Sequence, residues 1–201
     1  MPVYKEGLNA VIRPTIASLK AAISTYEMQG GTANIFVNDD GMQLIDESLA
    51  RARRDFYEEH NIGWVARPAH NPKPEDPSKE KPFIRKGKFK KASNMNYCLT
   101  TSNKVEDKLQ EIQRPAGWTR QDEEAAYERC LAEVIQESEG RTWAGGNIRM
   151  GDYILLVDSD TRVPRDCLLD AVSEMEQSPE VAIIQHTSGV MTVTDSFFER
   201  A

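Results

Sequence analysis

The sequence has little cysteine, little histidine and no long apolar run. Its three cysteines (Cys98, Cys130, Cys167) are far apart and odd in number, which excludes a disulfide framework and CxxC zinc sites and fits a reducing compartment. The three histidines (His60, His70, His186) are scattered and offer no His-based metal site. No stretch approaches the ~18 apolar residues that span a bilayer. The start, Met1-Pro-Val-Tyr-Lys-Glu, has no basic-then-apolar leader. Read as written, the chain is expected to be soluble, cytosolic and not secreted. An excess of positive charge is missing as well: 25 Lys and Arg against 32 Asp and Glu give a net charge of −7, which argues against nucleic acid as the partner. Neither GxGxxG nor GxxxxGK[ST] occurs, which argues against a dinucleotide fold and a P-loop NTPase.

What is present is enough for one domain, or a core domain with an insertion, in 201 residues. Helical spacing joins Leu8, Val11, Ile12, Ile16, Leu19, Ile23 and Tyr26, with Pro14 in a first turn where its missing N–H costs little. Gly30-Gly31 ends that helix. Residues 33–37 read as a short buried strand closed by Asn38-Asp39-Asp40-Gly41. A second helix is expected to bury Leu44, Ile45, Leu49, Ala52 and Phe56, and 63–66 is a weak strand after it. The prolines at 68, 72, 74, 77 and 82 make 68–82 a loop. Arg85–Lys91 opens a helix with Phe89, Ala92 and Leu99 inward. Residues 101–121 are polar and irregular, 123–138 form an amphipathic helix on Tyr127, Leu131, Val134 and Ile135, and 139–151 is loop. Tyr153-Ile-Leu-Leu-Val157 is the strongest strand pattern, its continuous apolar run suiting a strand covered on both faces. A helix over 164–177, with Leu168, Val172 and Met175 in register, and a buried strand over 181–185 continuing toward Val190 complete the pattern. Alternating strands and helices predict an α/β fold with a mostly parallel sheet flanked by helices.

Ligands of open parallel sheets bind beyond the carboxyl ends of the strands. Two strands end in aspartates there. In extended backbone Asp158 and Asp160 share one face, and two carboxylates side by side call for a cation or donors between them. Hard oxygen ligands suit Mg²⁺ or Mn²⁺ together with substrate phosphates. The plain alternative is a strand leaving the sheet through Asp turns. For Asn38-Asp39-Asp40-Gly41 a simple turn that caps the next helix is the stronger reading of the residues alone. Lys90-Lys91-Ala-Ser-Asn94-Met-Asn96 is a donor-rich helix start that can attract phosphate, or a solvated basic patch.

Taken in order, Pro2-Val-Tyr-Lys-Glu6, Val37-Asn-Asp-Asp-Gly41, Lys91-Ala-Ser-Asn-Met-Asn96 and Leu156-Val-Asp158-Ser-Asp160 resemble the family 2 glycosyltransferases. These include processive and single-addition enzymes related to cellulose, chitin and hyaluronan synthases. The wording of Arg85-Lys-Gly-Lys and Asp158-Ser-Asp-Thr-Arg-Val-Pro164 looks most like fungal membrane-bound members. The resemblance implies a GT-A nucleotide-diphospho-sugar domain. Its nucleotide pocket would be lined by Pro2, Tyr4 and Glu6. Asp39 and Asp40 would contact uracil or ribose, and Lys91 and Asn94 would lie near the nucleotide. Asp158 would face the nucleotide-sugar, and Asp160 would hold Mn²⁺ or Mg²⁺.

The departures from that pattern shape the expectation. The hydrophobic strand that precedes Pro-Val-Tyr in the family is mostly missing. No Thr-Glu-Asp or Gln-x-x-Arg-Trp follows the Asp158-Ser-Asp160 motif. The reading is therefore the donor-binding half of a GT-A domain, incomplete at both ends, with 101–151 as an inserted region and the general base expected beyond residue 201. Its function would be metal-dependent, inverting transfer from a UDP-sugar to an acceptor hydroxyl, with the acceptor unknown, no nucleic-acid partner, and a membrane-embedded parent facing the cytosol. The alternative is a truncated, non-catalytic remnant that at most binds nucleotide. A nucleotidyltransferase of related topology is disfavoured, because Pro2-Val-Tyr-Lys-Glu6 lacks the Gly-rich signature of those enzymes.

Overall fold

The computed structural model describes residues 1–76, 80–86 and 90–187. Among them, four strands form one sheet in the order β1 (Pro2–Val3), β2 (Phe36–Asp39), β3 (Gly63–Ala66) and β4 (Trp143–Gly145). The first three are parallel, with Pro2 opposite Asn38 and Val37 opposite Trp64; β4 runs antiparallel, with Val65 opposite Ala144. The helices are α1 (Arg13–Glu27), α2 (Glu47–Glu59), α3 (Lys90–Gln110), α4 (Arg120–Glu137) and α5 (Cys167–Gln177). This is the mixed α/β architecture expected, and it is consistent with a GT-A domain.

Two apolar clusters sandwich the sheet. One joins α1 and α2 to it through Ile12, Ile16, Leu19, Val37, Phe56, Tyr57 and Trp64. The other joins α3 and α4 through Val65, Cys98, Val105, Leu109, Cys130, Leu131 and Val134. Of the predicted stripe, Ile12, Ile16 and Leu19 are buried, while Leu8, Val11, Ile23 and Tyr26 are half-buried; the first helix carries Ile16, Leu19, Ile23 and Tyr26. It is entered by a wide π-type turn over Leu8–Ile12, with Pro14 at the start of the regular helix. Thr119 caps α4 in a reciprocal box with Asp122, satisfying two otherwise orphaned donors. In 68–86 the described residues form no helix, and one antiparallel bridge pairs Asn71 with Phe83.

Several expectations are corrected. Strand β2 lies at 36–39 rather than 33–37. The second helix buries Ala50, Arg53, Phe56 and Tyr57, while Leu49 is exposed. Residues 101–110 are helical, because α3 runs to Gln110 and buries Asn94, Cys98, Thr101, Ser102, Val105 and Leu109. Ala92 is exposed, Leu99 is half-buried, and Phe89 lies outside the described residues. The stretch 139–151 supplies β4, where a loop was expected.

Residues 153–157 pair with no strand among the described residues, where the strongest strand was expected. Leu155 and Val157 face the core, but Ile154 and Leu156 are 56% and 66% exposed. The physical reason is the length of β1. Its two residues pair with β2, and nothing in the described sheet extends beyond them to bond a further strand. Residues 181–185 likewise form no strand, and Ile183 is 84% exposed. The expected continuation to Val190 lies outside the described residues.

Candidate functional site

Parallel pairing brings the carboxyl ends of β1 and β2 together. The backbone N–H of Asp40 donates to the carbonyl of Val3 (2.8 Å), so the loop after β1 lies against the turn after β2. Gly41 permits this contact: a Cβ there would sit 1.5 Å from the Tyr4 carbonyl oxygen. That is a backbone approach only glycine allows.

Arg53, 2% exposed on α2, fixes the junction. Its Nη1 donates to the Tyr4 carbonyl (3.0 Å) and to Asp39 Oδ1 (2.7 Å), and its Nη2 donates to the Glu6 carbonyl (2.6 Å). The Tyr57 hydroxyl donates to Asp39 Oδ2 (2.9 Å), and the Gly41 N–H to Oδ1 (3.2 Å). Burial pushes the Asp39 carboxyl up, against the Arg53, Tyr57 and Gly41 donors that favour its charged form. Burial, with Asp39 beside it, holds the Tyr57 phenol well above its ordinary value. Asp39 is thus committed to the protein's interior.

Asp40 has a different set of partners. Arg67, also 2% exposed, donates to both its carboxylate oxygens from Nε (2.6 Å) and Nη2 (3.0 Å). Arg85 Nη1 adds a third contact at 3.2 Å. Two guanidiniums therefore flank one carboxylate, and burial, with Arg67 nearby, presses the Arg85 guanidinium below its ordinary value although Asp40 raises it. Arg67 also donates to Ser93 Oγ (2.9 Å) and to the Lys90 carbonyl (3.3 Å). Asn94, buried, donates to the Asn38 carbonyl (2.9 Å). Together these dock the start of α3 on the strand ends.

That docking carries Lys91 to Asp158, 2.7 Å from Nζ to Oδ1, with both side chains more than half exposed. The Asp158-Ser-Asp160 segment is held on α1 by Thr15, whose hydroxyl donates to the Ser159 carbonyl (2.7 Å). Val157 and Ser159 are buried while Asp158 and Asp160 are exposed, and a turn closed by the Thr161 N–H on the Asp158 carbonyl (3.1 Å) stands where extended backbone was expected. Among the described residues no three His, Cys, Asp or Glu side chains cluster as a metal cage. The donor set instead suits a hard divalent cation held by one or two carboxylates and completed by phosphate and water.

Of the residues singled out in the sequence, Pro2, Tyr4, Glu6, Asp39, Asp40, Lys91, Asn94 and Asp158 thus belong to one connected region. Asp160 lies in the same segment as Asp158. Tyr4, Lys91, Asp158 and Asp160 face solvent, whereas Asp39 and Asn94 act from within. The sequence reading missed Arg53, Tyr57 and Arg67. Arg67 had a findable signal, since it directly follows β3 at the carboxyl edge of the sheet.

Residues 153–201, the stretch carrying Asp158 and Asp160, match the family model for Glycosyl transferase family group 2. No curated protein and no solved structure matches the chain. The family match supports glycosyl transfer as the general class of activity.

Proposed function

We propose that this chain binds a UDP-sugar donor with Mn²⁺ or Mg²⁺ at the carboxyl ends of β1 and β2, as the donor half of an inverting glycosyltransferase domain. The observation that carries this reading is the Lys91–Asp158 pair: α3 is docked so that a cation and a carboxylate meet 2.7 Å apart beside the strand ends, and Asp158 belongs to the segment that the family model matches. Tyr4 and Glu6 would line the nucleotide, with Asp40 and its arginines at the base or ribose and Lys91 at phosphate. Asp158 would contact the nucleotide-sugar and Asp160 the metal. A divalent cation bound there would neutralise the charge developing on the departing diphosphate. Lys91 would exchange its bond with Asp158 for a phosphate oxygen. We assign no general base among the described residues. The finer likeness to fungal membrane-bound synthases, and a membrane-embedded parent, are part of the same proposal and rest on the sequence motifs.

Titration calorimetry tests it. UDP should bind the folded protein in the presence of Mn²⁺ and lose at least about tenfold in affinity without it. Asp160→Ala should abolish the metal dependence. A folded protein that binds no UDP sinks the proposal, and unchanged affinity in Asp160→Ala removes the metal role. A second reading, nucleotide binding without transfer, is favoured by the 153–157 segment, which pairs with no strand among the described residues and leaves Ile154 and Leu156 exposed. Turnover of a UDP-sugar by the 201-residue chain would contradict it.

A further inference from the structure

We infer that Arg53 is a positioning residue for the donor site: from the buried face of α2 it holds the Tyr4–Glu6 loop against the Asp39 turn. This rests on the donor-site reading above. A guanidinium that merely neutralised Asp39 would need one bond. Arg53 uses its planar fork on three acceptors, and two of them are main-chain carbonyls of a loop that follows a strand of only two residues. With those carbonyls turned inward to Arg53, Tyr4 is 46% exposed, on the side where the nucleotide is proposed to lie. The Tyr4 N–H closes the loop locally on Glu6 Oε2 (2.5 Å), so the exposed Tyr4 and the half-buried Glu6 side chains are both set by where Arg53 places the loop backbone. Lysine keeps the charge beside Asp39 but has no fork to bridge Tyr4, Glu6 and Asp39 at once.

The test compares Arg53→Lys and Arg53→Met with Phe56→Leu. Phe56 is a buried neighbour on the same helix, and its ring has no hydrogen bond to offer the loop. Each variant is read by thermal unfolding, by UDP titration with Mn²⁺, and by amide hydrogen exchange of residues 4–7. Arg53→Lys should weaken UDP about tenfold and speed exchange at 4–7. Phe56→Leu should lower the melting temperature yet keep UDP affinity within about twofold of the parent and leave exchange at 4–7 unchanged. Wild-type affinity or unaltered exchange in Arg53→Lys overturns the inference, even if Arg53→Met fails to fold. If the parent protein itself binds no UDP, the donor-site reading falls, and the exchange measurement alone decides whether Arg53 positions the loop.

Discussion

Burying a charge is tolerable only when every donor and acceptor around it is used, and two such charges set the terms at the residue scale. Asp39 and Asp40 are adjacent in sequence yet belong to separate networks, one with Arg53 and Tyr57, the other with Arg67 and Arg85. Deleting one partner exposes the cost. Asp40→Ala would leave Arg67, 2% exposed, without its carboxylate, and removing one member of a buried pair costs about 3–5 kcal/mol. Tyr57→Phe keeps the ring and removes only its donor to Asp39, so it should cost about 1.5–3 kcal/mol. Urea unfolding of both variants checks the order. A Tyr57→Phe loss as large as that of Asp40→Ala would show that the two networks are not ranked by uncompensated charge.

Elements show where packing overrides local pattern. The continuous apolar run of 153–157 is the strongest strand pattern and predicts cover on both faces, yet only one face is covered: Leu155 and Val157 point inward, Ile154 and Leu156 outward. Among the described residues it has no neighbouring strand to bond, which no periodicity records. Ile154→Lys and Leu156→Lys should therefore shift stability by less than about 0.5 kcal/mol while reducing self-association, because exposed apolar edges invite it. Val157→Ala should cost at least about 1 kcal/mol. Denaturant unfolding with light scattering measures both, and a large loss in the lysine variants would mean that the outward face is covered in solution. The same logic explains the other departures. In α2 the buried stripe runs through Tyr57 and through Arg53, a charged residue that apolar periodicity assigns to solvent. The region Thr100-Thr101-Ser102-Asn103 consists of weak helix formers, yet α3 continues because it buries Thr101, Ser102, Val105 and Leu109 and because Ser102 donates to the Ile148 carbonyl. The fold class, α1, α4 and the location of the site at the strand ends were legible in the sequence, since they follow from periodicity and from the acidic strand ends. The arginines that organise the site were not, because a buried ion is defined by partners distant in sequence.

At the scale of the whole molecule, the sheet and its two flanking clusters enclose the amine of Met1. In the 201-residue chain this nitrogen donates to the Phe36 carbonyl (2.8 Å), and burial lowers its pKa from 8.0 to about 6, although Asp158 pulls it the other way. The folded state thus binds this proton less tightly than the unfolded state does. Above pH 8 both states are neutral at this group and it costs nothing. As pH falls from 8 to 6 the unfolded chain takes up the proton first, so stability declines. Below about 6 the folded amine is also charged and the penalty levels off, at roughly 2–3 kcal/mol for a shift of this size. Urea unfolding at pH 5.5 and 8.5 should show that difference, with the higher pH more stable. Acetylating the amine removes the titrating group, so the difference between the two pH values should shrink by the same amount even if the acetyl group changes absolute stability. A pH response identical in the acetylated protein would assign the effect to other groups and remove the amine from the electrostatic balance of the fold.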